Sequence, residues 1–426
     1  MGLGRHDGVM DSHNDTTILH SSTDADFLAT LPTLVGHSVS NSILVVPFAG
    51  KRTHGAMRID LPPVDADVRV HERLISMALG AMSRIDWCDT VLFAVYTDET
   101  FPAAFAGHER LVDSFSARFH AAGFAVRDAF CIAGDGWASW YDDDAPPFDG
   151  RPLDEITSSP LASAAESARE GRRLPAFDAA ATLPTPDPRT TESLTCAVDA
   201  LLTEGVERNA FGMVVPASLP DSVDFVETLL QRDAADTPVR RLAQLTALSI
   251  QRPHRDEMML QVAFGRKAGR RARAENERWL AVQAKSGMSM DDVMRREFEA
   301  EGGPVVSEMG DLLIGERSTR PRPARIRRAI DILRYTIAHL PVDLRPDLLC
   351  MLAWLHWSMG ASAVAGAHLD AALAIDPEHG MAGILYTLIS SGKIPQWIFA
   401  HYNDAGAAMR SGRAGTPQKA SATSPV

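Results

Sequence analysis

Two short apolar runs, one soon after the other, lie near the start of the part of the chain that we expect to be ordered. Ser42–Phe48 and residues 55–61 are separated by the polar link 49–53, which is the pattern of two adjacent strands. Thr90–Tyr96 is an almost unbroken apolar run, typical of a strand covered on both faces. Residues 124–133 predict a further strand, followed by a tight turn at Asp135-Gly136 and a return strand. The pattern therefore predicts a sheet with a hairpin at each end.

Apolar residues at helical spacing lie between these strands. A short helix over 24–34, ended by Pro32 and Gly36, is expected before the first strand. Alternation of strand and helix predicts a largely parallel central sheet, which the end hairpins make a mixed sheet. The two apolar faces expected to cover this sheet are Val70, Leu74, Ala78, Ala81, Met82 and Ile85, and Leu111, Val112, Phe115, Phe119 and Ala122.

From Ser193 onward the chain is predicted to be almost entirely helical. Ala329, Leu333, Ile337 and Pro341 recur 36 residues later as Ala365, Leu369, Leu373 and Pro377. The second copy, over 346–379 with Gly360 in the turn, resembles a tetratricopeptide unit of about 34 residues. These periodicities predict helical hairpins that pack against their neighbours.

The predicted fold class is α/β, a mixed sheet flanked by helices, followed by an all-α region resembling helical-hairpin repeats. We expect a disordered leader over 1–23 and a disordered tail over 403–426. Between them we expect three regions: an acidic α/β domain at 24–182, a mostly helical region at 190–324 and a tetratricopeptide-like region at 325–402.

Charge is unevenly distributed along the 426 residues. Of the net −13, almost all belongs to residues 1–160, which hold 23 acidic and 11 basic side chains. Such a surface argues against phosphate binding by the first domain. The four cysteines form no C-x-x-C pair, and we find no signal-peptide core or membrane-spanning run, so we expect a cytoplasmic protein without a membrane partner.

Motifs of common enzyme classes are missing from the sequence. There is no G-x-G-x-x-G, G-x-x-x-x-G-K-[ST] or H-E-x-x-H. Residues 36–40 begin like a nucleophile elbow, but they have Ser40 in place of the closing glycine and precede a strand, so we expect a polar turn. The acidic residues of 135–155 lack the spacing of a calcium loop, and we expect a solvated loop, no metal and no cofactor.

Carboxylates follow the predicted central strands. Asp98 and Glu99 come directly after 91–96, and Asp135 lies in the turn after the next strand, so these three are the catalytic candidates. Trp137, Trp140 and Tyr141 follow that turn as a candidate ligand or partner surface, with a place in the core as the alternative.

Arginine is concentrated in two stretches, 266–278 and 317–328. On a helix, residues 266, 270 and 273 share a face that could meet phosphate or an acidic partner. The alternative, which we favour, is a solvated face paired with Glu275, Glu277 and Asp331 or docked on the acidic domain.

Several short segments resemble an actinobacterial family catalogued as domain of unknown function 4192. They are 27–29, 34–37, 41–46 and 58–62, the strand Val91 to Tyr96, 128–130, the turn 135–137 with Trp140-Tyr141, and 352–354 with 371–377. The resemblance covers about 24–395 and implies a fold without an established activity or ligand. Many family members carry clustered cysteines after the Trp-Tyr strand, whereas this chain has 142–150 without cysteine.

Three hypotheses for function follow. The first is a cytoplasmic, non-enzymatic interaction or regulatory protein whose C-terminal helices bind a protein partner. The alternative is an enzyme or small-ligand-binding protein with its site at the carboxyl ends of the sheet strands. Nucleic-acid binding through the arginine-rich helices ranks third, and we do not expect a nucleic-acid partner.

Overall fold

The central feature of the N-terminal half is a five-stranded sheet. A computed structural model describes residues 21–35, 39–53, 55–142, 146–167, 180–204, 206–208, 214–216, 218–289, 292–293, 295–296, 307–400 and 403. The strands are β1 (Ser42–Phe48), β2 (Met57–Asp60), β3 (Thr90–Tyr96), β4 (Ala125–Ile132) and β5 (Trp137–Ser139), and they lie in the order β2-β1-β3-β4-β5. The predicted mixed sheet is therefore confirmed.

Strand pairing differs from the expected largely parallel centre. β1 pairs antiparallel with both β2 and β3, and β4 pairs antiparallel with β5. β3 and β4 form the parallel pair. The difference arises because the connection from β2 to β3 passes across β1. β3 therefore lies beside β1, runs in the same direction as β2 and is antiparallel to β1. The expected end hairpins, β1–β2 and β4–β5, are both present.

Helices cover both faces of the sheet. On one face α2 (Val68–Met82) and α3 (Phe101–Ala121) pack on the alternate strand residues Val45, Val91 and Phe93. On the other face α1 (Asp24–Val35) packs through Leu28 and Leu31 on the intervening residues. The short helices α4 (Asp154–Thr157) and α5 (Pro160–Ser167) contact α1. Successive apolar residues along each strand therefore pack into two separate cores, one on each face of the sheet.

Two local predictions need correction. Pro32 was expected to end the first helix, but α1 continues through it to Val35. Proline there removes one backbone donor while Leu28 and Leu31 remain buried against the sheet, so packing holds the turn in place. The turn between β4 and β5 lies one residue earlier than the expected Asp135-Gly136, because the 2.8 Å bond from Ala133 N–H to Gly136 O encloses Gly134 and Asp135.

The rest of the described chain is mainly helical, as predicted. Its helices are α6 (Pro188–Leu202), α7 (Ser222–Leu229), α8 (Val239–Ser249), α9 (Arg252–Phe264), α10 (Arg266–Ser286), α11 (Glu308–Leu313), α12 (Pro323–His339), α13 (Pro346–Ser358), α14 (Ser362–Ile375) and α15 (Gly380–Ser390). A 3-10 turn, Val342–Leu344, precedes α13. A two-stranded antiparallel hairpin, β6 (Val206–Arg208) and β7 (Val214–Pro216), was not predicted.

One hydrophobic core joins the middle and C-terminal helices. It includes Leu194 of α6, Leu242 of α8, Met259 of α9 and Trp354 of α13, each with no measurable exposure. α13 and α14 form the expected hairpin, with Gly360 in the turn at φ +85°. Glycine is favoured there because other residues rarely adopt that conformation.

The predicted leader up to residue 20, residues 36–38 of the elbow-like sequence and the tail from 404 lie outside the described residues, as do Asp143 and Asp144 of the acidic loop.

The segment after α15 joins the helical region, which comprises α6 to α15, to the α/β unit, which comprises the sheet β1–β5 with α1 to α5. Phe399 is buried in the core formed by α2 and α3, and the Arg84 guanidinium lies 4.2 Å from the centre of its ring. Asp86 N–H donates to Asn403 Oδ1 at 2.9 Å. The C-terminal chain therefore packs on the end of α2 and the loop that follows it.

Candidate functional site

Asp98 lies at the carboxyl end of β3, as predicted, and is exposed. Its Oδ2 accepts a bond of 2.7 Å from Asn41 Nδ2, and its N–H donates to Asn41 Oδ1 at 3.2 Å. Asn41 has a φ of +42°, a conformation that asparagine tolerates better than most residues. The pair ties the end of β3 to the start of β1.

Asp135 has a partner at the N-terminus of α3. Its Oδ1 accepts a bond of 2.6 Å from the N–H of Phe101, the first residue of that helix. Thr100, in the capping position, makes no side-chain bond to the helix. Asp135 thus satisfies a free helix N–H from the neighbouring turn. Glu99 is exposed and lies between the two, with its carbonyl accepting from Gly134 N–H at 2.9 Å.

The two tryptophans lie on opposite faces of the sheet, as the strand alternation predicts. Trp137 is 2% exposed and donates from Nε1 to Pro152 O at 3.1 Å, so its indole belongs to the α1 core. Trp140 is half-buried, stacks on Phe105 at 5.1 Å between ring centres, and donates to Phe105 O at 3.0 Å. Both indoles have their polar atom satisfied within the protein.

Tyr141 is the most exposed of the three aromatic candidates, at 42%. Its hydroxyl bonds to the Ser116 hydroxyl on α3, and burial raises its pKa. Beside it, the buried Ser139 hydroxyl donates to Asp128 Oδ1 at 2.5 Å. Burial raises the pKa of Asp128, and nearby Asp24 adds to that rise. Sequence reasoning missed Asp128 as a titratable group because its bond from Ser139 and its proximity to Asp24 depend on the tertiary fold.

The candidate residues do not share one partner or one cavity that the structure describes. Asp98 contacts the start of β1, Asp135 contacts the start of α3, and Trp140 contacts the second turn of α3. The two cavities that we describe are lined by other residues. A catalytic role for Asp98, Glu99 or Asp135 therefore stays a prediction.

Arginines of the two rich stretches pair with acidic groups of neighbouring helices. Arg325 binds Glu227 through both terminal nitrogens, at 3.0 and 2.9 Å. Arg273 reaches Asp221 and Glu257. The partners differ from the Glu275, Glu277 and Asp331 that we expected. They come from α7, α9 and α11 and from the chain on either side of α7. The remaining pairs of this kind are Arg266–Asp224, Arg271–Glu308, Arg317–Asp311 and Arg328–Asp233.

A buried polar cluster that the sequence did not reveal lies between α7 and α9. Ser222 Oγ donates to Glu257 Oε1 at 2.7 Å and lies 3.3 Å from His254 Nδ1. Burial lowers the pKa of His254 to about 4. In a hydrolase triad the serine donates to the imidazole, whereas here it donates to the carboxylate, and Ser222 and Glu257 are almost fully buried. The cluster stabilises helix packing.

A second cluster brings together Cys350, His379 and Asp347. His379 Nδ1 lies 3.6 Å from Cys350 Sγ, and His379 Nε2 lies 3.3 Å from Asp347 Oδ1. Asp347 also binds the buried Arg255 at 2.6 Å. Cys350 has no exposed surface, and burial raises the pKa of its thiol to about 12. A nucleophilic cysteine needs an accessible thiolate, so this arrangement favours a structural role.

The junction cavity is the largest concave feature that we describe. Its volume is about 480 Å³, and it lies between the α/β unit and the helical region. Cavities that bind small molecules measure about 300 to 1,000 Å³ and lie preferentially between domains. Its walls come from the end of α1, the β1–β2 hairpin, α2, the chain before α12, the α13–α14 turn and the segment after α15.

Apolar side chains dominate the junction cavity. Met57, Met77 and Met82 line the α/β side, and Ile394 and Ile398 line the helical side. Arg58 and Arg320 are the two charged residues of the lining. Sequence reasoning missed the site because its residues come from six separated segments, and no local pattern connects them.

We find neither a cluster of metal ligands nor a membrane-spanning helix in the part of the chain that the structure describes. Within it, no three His, Cys, Asp or Glu side chains are grouped so that they could hold a metal ion. None of the helices described there is both long and apolar enough to cross a bilayer.

Comparison with known protein families matches residues 25–290 and 321–396 to the family described as "Domain of unknown function (DUF4192)". The chain belongs to the DUF4192 family. The match covers the five-stranded sheet and the α12–α15 helices, so the family extends over both sides of the junction cavity. Neither the curated proteins nor the solved structures contain a match to this DUF4192 chain.

Proposed function

We propose that this chain is a non-enzymatic interaction or regulatory protein of the cytoplasm that binds a small molecule in the junction cavity. The observation that carries the proposal is the position of a cavity of about 480 Å³ between the two halves of the protein. A ligand there contacts both halves at once, so its binding stabilises their packing. Binding of the ligand in the cavity therefore affects the surface of the helical region.

A protein partner for the C-terminal helices is the second part of the proposal. α15 exposes Ile384 at 65% and Tyr386 at 44%, beside the buried Leu385. Stacked helical hairpins form extended surfaces that bind partners. The test compares a tagged wild-type protein with Ile384→Glu in co-purification from its own cells. We expect a partner retained by the wild type and by Arg327→Gln to be lost from Ile384→Glu.

The other two hypotheses have less support. Asp135 caps the N-terminus of α3 by accepting the Phe101 N–H. Asp98, Glu99 and Trp140 line neither described cavity. Nucleic-acid binding requires free cationic surface, whereas six arginines of the two stretches are ion-paired. The cytoplasmic assignment is supported by four free cysteines, two of them buried, which suit a reducing compartment.

The proposal is tested by a thermal-shift screen of metabolites and small amphipathic molecules. A ligand at 100 times its Kd stabilises the native state by about 2.7 kcal/mol. Ala363→Phe places a ring at the cavity wall, and Ala371→Phe makes the same change on the exposed face of α14. We expect hits that shift the midpoint of the wild type and Ala371→Phe but not of Ala363→Phe. Ligands that shift the midpoint of Ala363→Phe as much as that of the wild type would contradict the proposal.

A further inference from the structure

We infer that the junction cavity takes an amphipathic organic anion, a molecule with an apolar body and one anionic head group. This inference rests on the proposed function, because it assigns a ligand class to the same cavity. Three features of the lining carry it: the apolar walls, the sign of the charged side chains and the position of a helix N-terminus.

The apolar walls define the body of the ligand. Met57, Met77 and Met82 lie on one side, and Ile394 and Ile398 lie on the other. Methionine side chains are unbranched and polarizable, so they adapt to apolar ligands of different shape. A wholly polar metabolite would lose its hydration against these walls without gaining hydrogen bonds. The ligand therefore carries a substantial hydrocarbon part.

The charged side chains define the sign of the head group. The lining contains two arginines, one from each half of the protein, and includes neither an aspartate nor a glutamate. The Arg58 side chain is 9% exposed and pairs at 2.7 Å with Asp60, whose side chain is 73% exposed and outside the lining. Arg320 donates to Ala400 O at 3.3 Å. Guanidinium groups bind carboxylates and phosphates through paired hydrogen bonds, whereas an organic cation meets no compensating charge in this lining.

The start of α14 adds to the positive character of the lining. Residues 360–364 line the cavity, and they include the first turn of this 14-residue helix. Its capping residue, Ala361, makes no side-chain bond to the helix. The first N–H groups of an uncapped helix and its dipole favour an anion. In a protein of net charge −13, this concentration of positive groups in an apolar cavity is a local exception.

The test measures the binding of four probes with the same eight-carbon body to the full-length protein by calorimetry. The probes are octanoate, octyl phosphate, octan-1-ol and octylammonium, each below its micelle concentration. We expect octanoate or octyl phosphate to bind at least tenfold more tightly than octan-1-ol, and octylammonium to bind most weakly. Whichever of the two anions binds more tightly distinguishes a carboxylate ligand from a phosphate ligand.

Variants separate the head-group contribution from that of the cavity. Arg320→Gln and Arg58→Gln should weaken binding of the anion by roughly tenfold and leave octan-1-ol unchanged. Arg58→Gln loses the Arg58–Asp60 pair and is therefore the variant that is more sensitive to destabilisation. Arg320 is exposed, so Arg320→Gln should keep the fold and test the inference by itself. Arg327→Gln, on the exposed surface of α12, is the matched control.

The possible failures are distinguishable. If octan-1-ol binds as tightly as both anions, or if neither cavity arginine affects the anion, the inference about charge is wrong and the proposed cavity function stands. If the wild type binds none of the four probes, the inferred ligand class is wrong, and the proposed cavity function is then decided separately by the thermal-shift screen with Ala363→Phe.

Discussion

Trp397 and Phe399 are two residues apart in the chain but belong to different hydrophobic cores. Trp397 is 1% exposed within the helical core and donates from Nε1 to Ser358 O at 2.8 Å. Phe399 is 7% exposed within the core of α2 and α3. Both residues also line the junction cavity. One short segment therefore holds the two halves of the protein together and forms a wall of the proposed binding site.

Phe399→Ala should weaken this connection. Removing a buried phenylalanine costs about 3 to 5 kcal/mol, because apolar contacts are lost and a void remains. We expect chemical denaturation to show a loss of this order in the transition of the α/β unit. Phe148→Ala, which changes a side chain that is 83% exposed, should alter the free energy of unfolding by less than about 0.5 kcal/mol. Equal effects of the two substitutions would contradict the packing described here.

Asp135→Ala should reduce stability because Asp135 accepts the N–H of Phe101 at the start of α3. Loss of a helix-capping acceptor typically costs about 1 kcal/mol. The measurement is urea denaturation followed by circular dichroism, with Glu109→Ala on the exposed face of the same helix as control. If Asp135→Ala is as stable as wild type, the capping role of Asp135 is contradicted and a catalytic role is favoured instead.

Acidification should destabilise the protein through half-buried His356 of α13 and buried His368 of α14. His356 and His368 lie 5.3 Å apart between ring centres. Burial, the neighbouring imidazole and Arg334 lower the pKa of His356 to about 3, and burial and Arg334 lower that of His368 to about 4. Since the ordinary value is 6.5, the unfolded chain binds more protons than the folded one between about pH 6.5 and 4.

Stability contributed by these histidines is therefore complete above about pH 6.5 and declines as the pH falls. At pH 5 each histidine costs about 2 kcal/mol relative to neutral pH. We expect His356→Leu to flatten the decline in unfolding free energy between pH 7 and 5. His120→Leu, on the exposed surface of α3, should leave the slope unchanged. Identical pH profiles for wild type and His356→Leu would contradict the lowered pKa of His356, because they would show that its imidazole binds protons equally in the folded and unfolded states.

Thiol labelling should separate Cys196 from the other three cysteines. Cys196 is exposed, whereas Cys131 and Cys350 are buried, and burial raises the pKa of Cys88 to about 11. We expect an aromatic disulfide reagent at pH 8 to react rapidly with one thiol in the native protein and with four after denaturation. Cys196→Ser should abolish the rapid phase. Rapid labelling of Cys350 would instead indicate that its cluster with His379 and Asp347 has an accessible nucleophile.

Local patterns in the sequence predicted the elements of the α/β unit, because burial on one helix face or on both strand faces leaves a clear period. The runs at Thr90–Tyr96 and the apolar face from Val70 to Met82 are examples. Pairing of β1 with β3 was not predictable in this way, since it depends on contacts across about 50 residues. The β6–β7 hairpin was missed because its strands have three residues each, too few for a period.

The predicted site residues do not include those of the junction cavity, and the cause is again the dependence on tertiary contacts. Asp98 and Asp135 are placed correctly at strand ends, because strand ends follow from local pattern, but their partners Asn41 and Phe101 depend on the tertiary fold. The cavity combines residues from Leu34 to Phe399. No spacing within one element encodes such a surface, so it emerges only when the two halves are packed together.

The most direct test of the account is a calorimetric titration of octanoate into wild type, Ala363→Phe and Ala371→Phe. We expect one site per chain in wild type and in Ala371→Phe, and at least tenfold weaker binding to Ala363→Phe, because the added ring projects from the cavity wall. Equal binding by all three proteins would place the ligand elsewhere and contradict the account.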